Sequence, residues 1–347
     1  MILKRRLGFW HLMLTLLAMV CGLIAVAAGT GYHVVKKIPL KNDDGGFDYS
    51  IVDAIGRRLY VSHSTHVVVL DADSGAVVGN IPNTDGVHGI APALELGRGF
   101  TSNGRAGTVT IFDLKTLNKL GEAKAGKNPD AILYDPATKR VFAFNNDGDS
   151  ATVINGADGS VAGTIELDGA PESGASDGAG NVWVNLEDKS MVVHLDPKAM
   201  TVKDRWPLAP CESPTGMAMD KKTRRLYVGC RNKMMAVMNA DTGKVIATPP
   251  ICTGTDASAF DPETALVFHS CSDGAISVYR EESADKYTLV DTIQTQQGSR
   301  TMALDLKTHR IFLSSNEYGP APAPTAAQPR PRAPVVPGSF AILVVDK

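Results

Sequence analysis

The sequence predicts an all-β protein folded as a seven-bladed β-propeller. The first observation is a repeated phrase: RRLYVSH begins at Arg57 and RRLYVGC begins at Arg224, 167 residues later (224 − 57). Because 167 is close to four times 42, the two copies fit a series with a period of about 40–45 residues, which is typical of propeller blades with four strands each. The second observation is that the rest of this series is present, and the third is that the two ends of the chain complete one blade.

Seven copies of the repeat follow one another along the chain. Each has an apolar segment, an acidic turn and a second apolar segment, and most continue with a third and a fourth segment rich in β-branched residues. Tight turns containing Asp-Gly, Ser-Gly or Thr-Gly indicate four-stranded antiparallel meanders. The turn acids themselves are interpreted as turn formers rather than ligands. They recur every 40–44 residues as Asp53, Glu95, Asp135, Asp177, Asp220, Asp261 and Asp305.

The seventh repeat lacks a fourth segment, because the chain stops after its third, FAILVVDK from Phe340 to Lys347. The missing segment is found near the other terminus. HVVKKIPL, from His33, is similar to AVVGNIPN, from Ala76, which is a fourth segment. The N-terminal strand is therefore predicted to complete the last blade, which closes the ring and removes the open sheet edge.

The first 28 residues differ in character from the repeats. Lys4, Arg5 and Arg6 precede an uncharged run from Leu7 to Ala28, and Ala25 to Ala27 are small residues suited to a signal peptidase. This pattern predicts a signal peptide at 1–28, cleaved near Ala27 or Ala28, and a propeller at 29–347 in an exported protein, periplasmic or secreted. A retained membrane anchor is the alternative, since the apolar run is about long enough to span a bilayer.

The charge balance argues against a general nucleic-acid binder. The chain has 35 basic and 37 acidic residues, a formal charge of −2, and removal of the three N-terminal cations changes it to −5 (−2 − 3). A protein that contacts many phosphates needs a basic surface instead. We expect a monomer whose contact with a membrane, if any, is through an uncleaved N-terminal segment.

The second segments resemble a known repeat family. They are similar to the tyrosine-valine-threonine-asparagine signature of YVTN propeller repeats, and together with the export signal and a Pro-rich late loop they make residues 32–347 resemble the YncE-like branch. That resemblance implies the propeller fold and little about activity, because members of the family mostly lack an established one. The matching strings are LYVSH at Leu59, FTSN at Phe100, FAFN at Phe142 and LYVGC at Leu226. The signature Asn is replaced by His63 and by Cys230 in two of these repeats.

A polar position recurs where each innermost strand begins, and these residues together are called the polar ring. Six of its seven members are ionisable, although only 21% of the chain is charged. The inner strands begin on one face, the top face, where propellers usually admit ligands to the central channel. Ligand binding is predicted for all except the threonine. The ring comprises Asp48, His88, Asp130, Glu172, Thr215, Asp256 and Arg300. The alternative is that these residues are solvated loop residues that cap backbone groups.

The polar ring supports three functional hypotheses. The first is binding of a small polar ligand or a protein partner at the channel mouth. The second is a lactonase-like hydrolase in which His88, beside Asp130 and Glu172, acts as general base on water. The third is a structural interaction scaffold without a small ligand.

No cofactor is predicted, although carboxylates with His88 would suit a hard or borderline divalent cation. The ligands of one ion must lie within about 2–2.6 Å of it. Residues spread around seven blades are expected to be too far apart for that.

Other enzyme motifs are absent or lack their required context. The chain contains neither a haem-attachment CxxCH nor a Walker loop. GASDG, from Gly174, fits the pattern G-x-S-x-G, but that motif requires a strand-to-helix elbow that the repeats do not supply.

A Pro-rich segment interrupts the seventh repeat between its second and third strands. Residues 320–337 fall within GPAPAPTAAQPRPRAPVVPG, which favours extended polyproline geometry. The segment is expected to rise from the top face as a lid or as a partner-docking arm carrying Arg330 and Arg332. A passive surface loop is the alternative.

Four cysteines remain after Cys21, which lies in the signal segment. An even number in an exported protein supports disulfides. Spacings of 19 residues (230 − 211 and 271 − 252) favour bridges within two blades, Cys211–Cys230 and Cys252–Cys271. A bridge between neighbouring blades, Cys230–Cys252, and a zinc site are the alternatives.

Overall fold

Seven four-stranded antiparallel sheets are arranged around a central channel in the computed structural model, which describes residues 29–40, 45–323, 325, 331 and 333–347. The predicted signal segment, residues 1–28, lies outside the described residues. The described part contains no helix long and apolar enough to cross a membrane. Its helical content consists of two short 3₁₀ turns, Leu94–Leu96 and Asn146–Gly148.

Strand β1 (His33–Pro39) comes first in the chain, and blades 1 to 6 then take four successive strands each. Blade 1 contains β2 (Phe47–Asp53), β3 (Arg58–His63), β4 (His66–Asp71) and β5 (Val77–Ile81). Blade 2 contains β6 (Val87–Ala93), β7 (Arg98–Asn103), β8 (Thr108–Asp113) and β9 (Lys119–Lys124). Blade 3 contains β10 (Pro129–Asp135), β11 (Arg140–Asn145), β12 (Ser150–Asn155) and β13 (Val161–Glu166).

The remaining blades follow the same order from the channel outward. Blade 4 contains β14 (Pro171–Ser176), β15 (Val182–Leu186), β16 (Met191–Asp196) and β17 (Thr201–Pro207). Blade 5 contains β18 (Pro214–Asp220), β19 (Arg225–Cys230), β20 (Met234–Asn239) and β21 (Val245–Ala247). Blade 6 contains β22 (Thr255–Asp261), β23 (Leu266–Cys271), β24 (Ala275–Ser283) and β25 (Lys286–Gln294). Blade 7 contains β26 (Met302–Leu304), β27 (Ile311–Ser315) and β28 (Ala341–Asp346), with β1 as its outer strand.

Blade 7 confirms the predicted closure by the N-terminal strand. Strand β1 pairs antiparallel with β28, from His33 opposite Asp346 to Pro39 opposite Ala341. At the channel, the inner strand of blade 7 contacts the inner strand of blade 1, as every other inner strand contacts its neighbour. The Thr301 hydroxyl donates to the backbone oxygen of Asp48 at 2.9 Å, which links blade 7 to blade 1 directly.

The hydrophobic core lies between the blades. Seven buried clusters each combine side chains of two neighbouring blades, because alternate residues of a strand point to opposite faces and both faces are covered. In β3, Leu59 and Val61 pack toward blade 7, whereas Tyr60 packs toward blade 2. This arrangement explains why the second segments read as continuous apolar runs rather than alternating ones.

Candidate functional site at the top-face channel mouth

The members of the polar ring lie at equivalent positions at the starts of the inner strands, as the repeat spacing predicts. Six members are the second residue of an inner strand, and Arg300 lies two residues before β26. The six inner strands of blades 1 to 6 show a shift in pairing register at or next to this position, as between Phe47 and Ser50 in blade 1. Such irregularities change the direction in which side chains near the end of a strand point. We refer to Asp48, His88, Asp130, Glu172, Asp256 and Arg300 as the channel mouth.

Three members from blades 1 to 3 meet at one point. His88 Nδ1 lies 2.6 Å from Asp48 Oδ2 and 3.7 Å from Asp130 Oδ1. One ligand atom from each of the three residues lies within 4.8 Å of the others. The expectation that ring residues are too far apart to share one ion is therefore wrong for this cluster, because neighbouring inner strands converge at the mouth.

The imidazole of His88 has an oxygen near each ring nitrogen. Asp48 faces Nδ1, and the amide oxygen of Asn128 lies on the Nε2 side, where a Cβ added at Gly104 would come within 2.6 Å of Nε2. Burial works against protonation of His88, but the Asp48 hydrogen bond, the charges of Asp130 and Asp48 and the Asn128 contact together raise its pKa. Residue 104 must be glycine for the ring and the amide to occupy this space.

The carboxyl groups of Asp130 and Glu172 are held toward their acid forms. Burial raises the pKa of Asp130 to about 7, with Asp48 adding to the shift and His88 opposing it. Burial also raises the pKa of Glu172 to about 9, followed by repulsion from Asp130 and Asp256. Carboxyl groups that face one another in a concave site destabilise each other's charged forms.

Tyr49 spans the channel, and the sequence analysis did not select it. Its hydroxyl lies 3.4 Å from Glu172 Oε1, joining blade 1 to blade 4, while Asn146 Nδ2 donates to Glu172 Oε2 at 3.3 Å. The repeats do contain a pattern that singles out Tyr49. The residue after each ring member is small in six blades and is tyrosine in blade 1 alone; the six are Gly89, Ala131, Ser173, Gly216, Ala257 and Thr301.

Blades 4 to 7 complete the mouth with ion pairs. Arg300 Nε donates to the buried Asp256 Oδ2 at 2.6 Å. Arg231, in the loop after β19, pairs with Glu187, in the loop after β15, at 2.5 Å. Although burial opposes it, Glu187, Asp256 and Glu172 raise the pKa of Arg231, so its charge also acts on the mouth. The sequence analysis missed Arg231 and Glu187, since these loop positions are not polar in every repeat.

Thr215 has a structural role instead. It is fully buried, and its hydroxyl donates to the backbone oxygen of Thr255 at 2.8 Å, joining blades 5 and 6.

A cavity of about 240 Å³ lies along the inner strands of blades 1, 6 and 7, further down the channel than the polar ring. Its lining is largely apolar and includes Ile51, Phe260 and Leu304. On the side of blades 1, 6 and 7, the inner strands are therefore mostly apolar below the polar ring.

Both intrablade disulfides are confirmed. Cys211 is bonded to Cys230 in blade 5, and Cys252 to Cys271 in blade 6, each with Cα atoms 5.8 Å apart. The alternative Cys230–Cys252 bridge and the alternative zinc site on these cysteines are wrong, because all four thiols are used within their own blades. Two disulfides indicate an oxidising environment.

The stem of the Pro-rich segment lies between β27 and β28, so it rises from the top face. Gly319 N donates to Pro334 O and Val336 N to Glu317 O, both at 2.8 Å, which pairs the two sides of the stem. Lys37 holds Glu317 by an ion pair of 2.8 Å. Arg330 and Arg332 lie outside the described residues.

No family model matches the chain, and no curated protein matches it. Among solved structures, it is similar to a chain of Kuenenia stuttgartiensis hydrazine synthase, with a TM-score of 0.71, 14% sequence identity, and coverage of 79% of this chain and 94% of that one. The likeness is one of fold. Since 1786 solved chains match the structure, this architecture alone does not select an activity.

Proposed function

We propose that the protein is an exported β-propeller that binds a small polar ligand at the channel mouth. The observation that carries the proposal is the convergence of four carboxyl groups, from blades 1, 3, 4 and 6, on one face of the channel. Propellers commonly serve as binding modules, and the two disulfides fit an exported location. The resemblance of the second strands to YVTN repeats supports the propeller fold of this proposal and not its ligand.

The chemistry of the mouth favours a ligand that carries a positive charge or several hydrogen-bond donors. The carboxyls outnumber the basic groups, and Asp48 and Asp256 are already paired, with His88 and Arg300 respectively. Glu172 accepts only long hydrogen bonds from Tyr49 and Asn146, at 3.4 and 3.3 Å. An amine or hydroxyl of a ligand would offer Glu172 a stronger partner.

The geometry favours binding over lactone hydrolysis. A general base needs a free lone pair within hydrogen-bond reach of the water it activates. His88 Nδ1 already pairs with Asp48 at 2.6 Å, and the Asn128 side chain contacts the same ring, so both sides of the imidazole have partners. The described structure therefore supports a role for His88 in binding more than a role as general base.

Calorimetric titration of small amines, with arginine, spermidine and glucosamine as probes and glucose as the uncharged comparison, tests the proposal in buffer containing EDTA. At least one amine should bind, and Glu172→Gln or Asp256→Asn should weaken it at least about 10-fold, the loss expected for a charge-assisted hydrogen bond. Glu166→Gln, at an exposed position of β13, is the matched control.

Two results would contradict the proposal. One is that no amine binds; the other is that the Glu166 variant loses affinity as much as the two mouth variants. Replacing residues 320–333 by Asn-Gly, which suits a two-residue turn on the paired stem, should leave amine binding intact. Loss of binding in that variant would assign recognition to the Pro-rich segment instead.

A further inference from the structure

Blades 1, 2 and 3 each contribute one potential metal ligand at the same repeat position. Asp48, His88 and Asp130 offer two carboxylate oxygens and one imidazole nitrogen, all within 4.8 Å of one another. Ligand atoms around a single ion with bonds of about 2.1 Å lie about 3 Å apart. The observed separations of 2.6 and 3.7 Å from His88 Nδ1 fall on either side of that value.

One oxygen of this cluster has no hydrogen-bond donor. Asp130 Oδ1 is enclosed and accepts no hydrogen bond from any described residue, and its nearest basic nitrogen among them is His88 Nδ1 at 3.7 Å. An enclosed carboxylate oxygen without a donor is costly. A proton between His88 and Asp48 does not reach it, whereas a cation placed among the three residues contacts all of them.

The orientation of His88 fits metal ligation. The Asn128 amide oxygen lies on the Nε2 side of the ring, so an Nε2–H directed at it leaves the Nδ1 lone pair pointing between the two aspartates. Metal-binding histidines are held in this way by an acceptor on the other ring nitrogen. Gly104 leaves room for both side chains.

We propose that Asp48, His88 and Asp130 bind a divalent transition-metal ion, such as Mn²⁺ or Zn²⁺. Two carboxylates balance the charge of the ion, and the imidazole favours a transition metal over Ca²⁺. Three protein ligands leave coordination positions for water or for a bound molecule. The proposal concerns the same mouth as the proposed function and depends on it only for solute access from the top face.

Equilibrium dialysis with metal analysis tests the site directly. The full chain, freed of metal with EDTA and then dialysed against Mn²⁺ or Zn²⁺, should bind one ion that Asp48→Asn and His88→Gln each weaken at least about 10-fold. Asn128→Ala should weaken the same binding by about 10-fold, because it removes only the orienting acceptor. Electron paramagnetic resonance of bound Mn²⁺ should show the corresponding loss of signal.

The matched control is Glu166→Gln, which removes an exposed carboxylate of β13 that lies outside the channel mouth. It should bind the ion as the unaltered chain does. Circular dichroism establishes that each variant is folded. Absence of stoichiometric binding by the unaltered chain overturns the proposal, as does binding that Asp48→Asn and His88→Gln leave unchanged. Amine binding in EDTA would then still stand, so the two proposals fail separately.

Discussion

Glu172 is a buried carboxyl of the channel mouth with weak hydrogen-bond partners and acidic neighbours. Its side chain comes from the second residue of β14 and is 8% exposed. Its two hydrogen bonds, from Tyr49 and Asn146, are both longer than 3.2 Å, while Asp130 and Asp256 repel its charged form. Burial with weak partners explains why the folded chain retains the proton.

Glu172→Gln is expected to make stability less dependent on pH. The pKa of Glu172 rises from 4.5 to about 9 on folding, so its contribution is fully favourable below pH 4.5 and is lost as pH rises toward 9. The variant should equal the unaltered chain near pH 4.5 and exceed it by on the order of 3 kcal/mol or more at pH 9. Urea unfolding in EDTA measures the difference.

Glu166→Gln serves as the control for that measurement, because Glu166 is exposed on an outer strand. Its stability should follow the unaltered chain at every pH. A constant difference between Glu172→Gln and the unaltered chain from pH 5 to 9 would show that Glu172 is ionised in the folded state.

At this scale, the repeat spacing predicted which polar side chains line the mouth but not how they pair. Equivalent positions in a ring come together by symmetry, so Asp48, His88 and Asp130 were found from spacing alone. Tyr49 reaches Glu172 across the channel, a contact between residues 123 apart that no local pattern encodes. The distance between blades at the mouth was equally absent from the sequence, and it decides whether three residues share an ion.

The turn elements also join neighbouring blades. Asp305 accepts hydrogen bonds from Lys307 N and Thr308 Oγ1 in its own turn, as its interpretation as a turn former predicts. Asp305 Oδ2 also forms an ion pair of 2.7 Å with Arg57 Nη2 of blade 1, and the Asp305 side chain is fully buried. Arg224 and Asp177 repeat this link between blades 5 and 4 at 2.8 Å. The recurring turn acid therefore forms its own turn and, in these blades, also an ion pair between blades.

Removing Arg57 is expected to destabilise the ring strongly. Arg57→Met leaves the buried Asp305 carboxylate without its cation, which typically costs about 3–5 kcal/mol. Lys119→Met, which breaks an exposed pair with Glu122 at 2.6 Å, should cost less than about 1 kcal/mol. Chemical denaturation under oxidising conditions measures both. Equal losses in the two variants would contradict a structural role for the link between blades 7 and 1.

The whole molecule depends on joining the two ends of the chain. The number of blades and the closing strand were predictable, because the repeat period and the similarity of HVVKKIPL to AVVGNIPN are properties of sequence alone. Without β1, the outer edge of β28 would be unpaired. The side chains that β1 contributes to the interfaces of blade 7 would also be lost, since Val34 and Ile38 pack against the clusters on either side.

Removal of β1 is therefore expected to destabilise the ring. A chain lacking residues 1–40 should unfold at a lower temperature than one lacking only residues 1–28, and should aggregate through its exposed edge. A synthetic peptide of residues 29–40 should bind the shortened chain and restore its stability, because main-chain pairing with β28 and the packing of Val34 and Ile38 are available in trans. The same peptide with Ile38→Asp should bind more weakly, since a carboxylate would enter the apolar cluster between blades 7 and 1. Equal melting temperatures for the two shortened chains would mean that the ring is held by contacts between inner strands and between blade faces, and not by the strand that joins its ends.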